Sequence, residues 1–133
     1  MSELGIIGHI ADLPWYVWVG LFLLINFVFS DHSRWSKRVK FPFKPDIGSG
    51  EVEIEYSKRQ GTIVEVEMRL KGELRNKPIE VFINDSLVCT VPAEHNNGTG
   101  RDFEKPTTQE KPIPGDTVHV RVEGQIIFNG VFT

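Results

Sequence analysis

The chain has 133 residues, a formal net charge of −3 and 40% hydrophobic residues. That balance excludes a general nucleic-acid binder, which needs a basic surface, and a lone cysteine, Cys89, excludes an internal disulfide. With the apolar N-terminal stretch set aside, roughly 85 residues remain, enough for one small domain with a modest core.

Residues 1–12 hold Glu3 and Asp12 but no Lys or Arg. They lack the basic start and small-residue cut site of a cleaved secretory signal, so they are expected to persist as an N-terminal extramembrane segment. Leu13 to Phe29 then runs without a charge. About eleven of its positions are Leu, Ile, Val or Phe, which sum to roughly −3 to −6 kcal/mol of insertion free energy. Its about 17 residues would rise roughly 26 Å as a helix, close to a hydrocarbon core of about 30 Å. The expectation is a single transmembrane helix over 13–30, with Asp12 capping it and Pro14 in its first turn.

Trp15, Tyr16 and Trp18 crowd one end of this stretch, and Trp35 and Phe41 follow the other, as two interfacial aromatic belts would. Gly20 leaves room for a neighbouring helix backbone, and Asn26 carries an amide that seeks a hydrogen bond across a helix pair. Arg34, Lys37, Arg38, Lys40 and Lys44 follow the span, and no basic residue precedes it. This asymmetry places the N-terminus outside and the rest in the cytoplasm, at a bacterial inner membrane with anionic headgroups. Residues 31–50 read as a basic juxtamembrane linker, with Pro42 and Pro45 stopping the helix and Gly48 and Gly50 loosening the exit.

From Glu51 the hydrophobic period becomes two. Val52, Ile54 and Tyr56 alternate with Glu51, Glu53 and Glu55; Val64, Val66, Met68 and Leu70 alternate with Glu65, Glu67, Arg69 and Lys71. Ile79–Ile83 and Leu87–Val91 flank Asn84-Asp85-Ser86 as a hairpin. Arg101 to Lys105 reads as a further strand, and Val118, Val120 and Val122 lead through Glu123-Gly124-Gln125 into Ile126–Phe132. The fold class expected for 51–133 is mainly β: a small antiparallel Ig-like β-sandwich of about seven strands.

Several of these segments carry a resemblance. Val81 to Asp85, Asn97 to Phe103, Gly115 to Val118 and Gly130 to Phe132 match a hairpin, a glycine-rich turn, a "G-D-x-V" strand entry and a closing "G-x-F". In these the region from about Thr62 to Thr133 resembles an uncharacterised bacterial β-sandwich module. The resemblance implies a fold and no activity.

No catalytic, cofactor or metal constellation emerges. His9 and His32 flank the apolar stretch, His95 sits in a turn, and His119 is expected exposed on the face opposite Val118 and Val120. None has a partner at metal-ligand spacing, and Cys89 has no CxxC companion. Asn97-Gly98-Thr99 matches a glycosylation sequon formally, but in a cytoplasmic domain it is a turn. Glu53, Glu55, Glu65 and Glu67 form an acidic docking patch if their strands are neighbours.

The functional expectation is therefore a non-catalytic accessory subunit. One helix packs against a larger integral-membrane complex while the sandwich braces its cytoplasmic side. Photosynthetic reaction-centre–antenna and respiratory assemblies carry single-helix subunits of this size, an analogy of architecture. The alternative is an exported, membrane-anchored module recognising a glycan, a peptide or an envelope component. Neither reading involves nucleic acid, a small-molecule substrate or a cofactor.

Overall fold

The computed structural model describes residues 14–29 and 33–133. The chain divides into two units, 1–32 and 33–133. The N-terminal segment expected over 1–12 lies outside the described residues, as do His9 and His32.

In the first unit the described element is helix α1 (Trp15–Phe29), which carries no charge in either terminal turn. Its side chains from Trp15 to Ile25 are all exposed, and nothing lies within 4 Å of the place a Cβ would occupy on Gly20. The side chain of Asn26 lies outside the described set. A helix of 15 residues rises about 22 Å. Among the described residues no helix is long and apolar enough to cross a membrane. The expected transmembrane helix over 13–30 is therefore not supported by the described residues, whose helix covers Trp15–Phe29.

The second unit is built from eight strands: β1 (Trp35–Lys44), β2 (Gly48–Ser57), β3 (Gly61–Leu70), β4 (Ile79–Ile83), β5 (Ser86–Val91), β6 (Asp102–Pro106), β7 (Thr117–Val122) and β8 (Gln125–Val131). They form two four-stranded antiparallel sheets, ordered β1-β2-β3-β6 and β5-β4-β7-β8. The chain changes sheet three times, between β3 and β4, β5 and β6, and β6 and β7. The mainly β expectation holds, with one strand more than the seven expected.

Alternation explains the layers. Val52, Ile54, Val64, Val66, Met68 and Leu70 line the inner face of the first sheet. Ile79, Val81, Ile83, Val118, Val120 and Val122 line that of the second. Burying each such side chain favours folding by about 1.5–3 kcal/mol. The tight hairpins obey backbone chemistry: Asn84 and Asp85 join β4 to β5 with φ of 48° and 66°, and Glu123 and Gly124 join β7 to β8 with φ of 51° and 78°. Consecutive positive φ values are the geometry that matches strand twist in two-residue turns.

The extra strand corrects the expected linker. Within 31–50, β1 pairs with β2 in register from Trp35↔Tyr56 to Phe41↔Gly50. Val39 and Phe41 point inward and are buried, while Pro42 falls at the register shift between Phe41 and Lys44. An edge strand tolerates both the proline and the lysines, which also discourage pairing with other chains. Two residues expected in an aromatic belt are consequently part of the sandwich. Trp35 stacks on Tyr56 at 6.1 Å, and Phe41 stacks on Phe128 at 5.0 Å.

Candidate docking face

The outer face of the first sheet is the most unusual surface of the domain. Strand register sets two rows across four strands: Arg38–Glu53–Glu65–Glu104 and Lys40–Glu51–Glu67–Asp102. Six carboxylates thus occupy three neighbouring strands, with Arg38 and Lys40 on the β1 edge and Arg69 beside Glu67 on β3. Glu55 continues the acidic face beyond Glu53, opposite Ile63. The four expected patch residues Glu53, Glu55, Glu65 and Glu67 are therefore brought together. Asp102 and Glu104 complete the face and were not anticipated. Their signal was the alternation around Phe103, which packs against the core from the short strand β6.

Arg38 neutralises the β1 edge most closely, and Arg69 on β3 pairs with Glu67 at 3.8 Å. Arg38 Nε lies 2.6 Å from Glu51 Oε1 and donates to Glu53 Oε2 at 3.0 Å, while its Nη2 donates to the same Glu53 oxygen at 2.6 Å. This arrangement holds the guanidinium pKa above its ordinary value, chiefly through the Glu53 hydrogen bond and then the charge of Glu51. Toward one end of the face, Lys40 and Arg69 flank Glu51 and Glu67 around a hollow of about 180 Å³. The remaining expected basic residues, Arg34, Lys37 and Lys44, lie on or next to β1; Lys44 Nζ sits 5.4 Å from the Phe128 ring centre. The charges expected beside a membrane thus belong to the folded domain.

Away from Arg38, Glu65 and Glu67 resist ionisation. Partial burial pushes Glu65 up to about 7, helped by a hydrogen bond with Asp102 and by the charges of Asp102, Glu104 and Glu53. Glu67 is raised for the same leading reasons, opposed by Arg69. A carboxyl whose folded-state pKa is raised makes its full contribution to stability below the ordinary 4.5 and loses it as pH rises through about 7. Glu65→Gln should flatten that loss. Urea midpoints of the variant are expected to match wild type in mild acid and to exceed it above neutrality, by a difference below about 1 kcal/mol. Parallel pH profiles for the two proteins would show that Glu65 does not titrate in this window.

Carboxylate oxygens of Glu53, Glu55 and Glu65 lie within 4.8 Å of one another. Three oxygen ligands of this kind suit a hard divalent cation.

The opposite outer face differs. His119, expected exposed, is only 7% exposed. It does point away from the core, but Phe82 stacks on its ring at 5.7 Å, and Arg121 covers Phe82 at 4.3 Å. Asp85 approaches His119 Nε2 at 3.4 Å. Strand alternation predicted the side of the sheet correctly; neighbouring aromatic and arginine side chains supply the cover. Cys89 is buried in the core, and burial pushes its thiol pKa up, as suits a small hydrophobe.

No family model, no curated protein and no solved structure matches this chain.

Proposed function

We propose that the protein is a non-catalytic, membrane-attached accessory subunit whose acidic sheet face docks on a basic surface of a larger integral-membrane complex. The observation that carries this reading is the direct opposition of like charges in four cross-strand pairs: Glu51↔Glu67, Glu53↔Glu65, Glu65↔Glu104 and Glu67↔Asp102. Opposed carboxylates cost up to about 1 kcal/mol each, a noticeable share of a domain stability of about 5–15 kcal/mol. A basic partner relieves that repulsion on contact, and complementary charge sets orientation and association rate.

Attachment follows from the uncharged stretch 13–30 and from the exposure of every described side chain of α1 up to Ile25. An apolar helix exposed all round needs a bilayer or another helix against it. A helix about 22 Å long accommodates a thicker core by local thinning or by helix association, at fractions of a kcal/mol per Å. The order of β2 to β8 supports an Ig-like Greek key, to which β1 adds an edge. The basic flank favours a cytoplasmic position for this domain.

Fractionation followed by mild-detergent native gels tests the proposal. The full chain is expected in membranes and in a high-mass complex. Glu65→Lys/Glu67→Lys should leave it in membranes but release it from the complex, with chelator present to remove any cation bridge. Recovery of the wild-type chain in the aqueous fraction, or migration always alone, would overturn the reading. A C-terminal reporter active outside the cytoplasm would favour the exported binding module.

A further inference from the structure

The chain contains two Asn-Gly pairs, Asn97-Gly98 and Asn129-Gly130, and the fold treats them differently. Asn129 and Gly130 lie inside β8, paired with His119 and Val118 of β7. A Cβ on Gly130 would meet Val39 Cγ1 at 2.5 Å, so packing closes in on this pair. Asn97, by contrast, is exposed in the turn before β6. Its side-chain Oδ1 accepts two hydrogen bonds, from the Thr99 N–H at 3.0 Å and the Thr99 hydroxyl at 2.5 Å. Gly98 has φ of +83°, and the Arg75 guanidinium lies against it, 2.5 Å from where a Cβ would stand.

We propose that Asn97 is a self-modifying site, converted by its own turn from an amide to an aspartyl or isoaspartyl residue. The backbone nitrogen of Gly98 loses its proton to solvent base and attacks Asn97 Cγ. The C=O π pair moves onto Oδ1, where the two Thr99 donors face the developing negative charge. Donors aimed at an oxyanion accelerate acyl chemistry without rearranging during the step. The tetrahedral intermediate collapses, the Cγ–Nδ2 bond breaks, and the leaving nitrogen takes a proton from water to depart as ammonia. The cyclic succinimide then adds one water, opening at either carbonyl to leave a carboxylate. The absence of a side chain on Gly98 keeps the attacking nitrogen unobstructed. Arg75 places a positive charge one residue from the new carboxylate, which favours both the intermediate and the product.

The same chemistry is suppressed at Asn129. Its backbone is held extended in the ladder, and bringing the Gly130 nitrogen onto the side-chain carbon requires that part of β8 to leave the sheet. The two sites share one dipeptide sequence, so the difference between them belongs to the fold.

Incubation of the full chain in mildly alkaline buffer, followed by peptide mass mapping and isoaspartate detection, tests the proposal. The peptide holding Asn97 is expected to show the amide-to-acid mass shift with isoaspartate present, while the Asn129 peptide stays unmodified. Thr99→Ala, with its fold checked by circular dichroism, should slow the conversion roughly three- to tenfold, less than an enclosed oxyanion donor is worth because water replaces the hydroxyl here. In strong denaturant the two sites should convert at similar rates. Persistence of the Asn97 amide in the folded protein would overturn the proposal. Conversion of Asn129 at an equal or higher rate in the folded protein, or an unchanged rate in Thr99→Ala, would do the same.

Discussion

Phe128→Ala is expected to lower the unfolding free energy by about 3–5 kcal/mol, close to the whole stability of a domain of this size. Phe128 is 1% exposed and sits opposite Val120 in β8, near the side of the sandwich where the two sheets meet through β1. Its ring lies 5.0 Å from that of Phe41 with an interplanar angle of 13°, and Lys44 covers it at 5.4 Å. The Lys44 ammonium also reaches the Ile127 carbonyl at 3.4 Å. Removing the ring therefore deletes buried apolar area and leaves a cavity between β1 and β8, a space that the stiff strand backbones cannot refill. Phe43→Ala is the matched control. Phe43 is 60% exposed and its described ring contact is Lys71 at 4.4 Å, so its loss should cost no more than about 1 kcal/mol. Urea denaturation of both variants, followed by far-UV circular dichroism, provides the comparison. Similar midpoints for the two would show that β1 is not part of the cooperative core.

That comparison bears on how much of the fold was legible in the sequence. β2, β3, β4 and β7 announce themselves because buried residues alternate with outward ones over several positions and no helical period competes, and β8 because an apolar run follows the Glu123-Gly124 turn. β1 does not. Only Val39 and Phe41 of its ten residues are buried, its remaining positions are rich in Lys and Arg, and Pro42 interrupts it. The same residues satisfy a positive-inside pattern equally well, and one-dimensional charge cannot separate a membrane flank from an edge strand. Its partners add what charge alone lacks: Arg38 belongs to the sandwich because it pairs with Glu51 and Glu53.

The docking face shows a different limit. Each glutamate of β2 and β3 could be assigned outward from alternation alone. Which carboxylates stand opposite one another depends on register, and the presence of Asp102 and Glu104 depends on β6 joining β3 rather than its sequence neighbour β5. The raised pKa of Glu65, due first to partial burial and then to the pairing with Asp102, has no counterpart in the local sequence. α1 is a third case. Composition reports apolarity reliably, whereas helix length is set by where the ends stop, and 15 residues fall short of a typical span of about 20.

Asn96 is the residue the sequence hid most completely, and replacing it should produce the second largest effect. It stands in a run of turn formers, yet it is 0% exposed. Its Nδ2 donates to the Leu74 carbonyl at 2.6 Å and to the Lys77 carbonyl at 3.0 Å, while its own backbone carbonyl accepts from the Asn76 N–H at 2.6 Å. These bonds tie the connection between β5 and β6 to the connection between β3 and β4, two of the three crossings between sheets. Asn96→Ala leaves two carbonyls without that donor, at about 1–3 kcal/mol for each one that water does not reach. The expected loss is roughly 2–4 kcal/mol. Asn96→Asp discriminates packing from hydrogen bonding, because it keeps the shape and removes the donor. Ionised, it would aim a buried carboxylate at two carbonyl oxygens; its folded-state pKa must therefore rise above that of the unfolded chain. The protonated acid restores one donor, so the Asp variant should be the less stable of the two at neutral pH and should recover progressively in acid, the direction required when the folded state binds the extra proton. Equal stability of Asn96→Asp and wild type at neutral pH would mean that the two carbonyls are served by something other than the Asn96 amide.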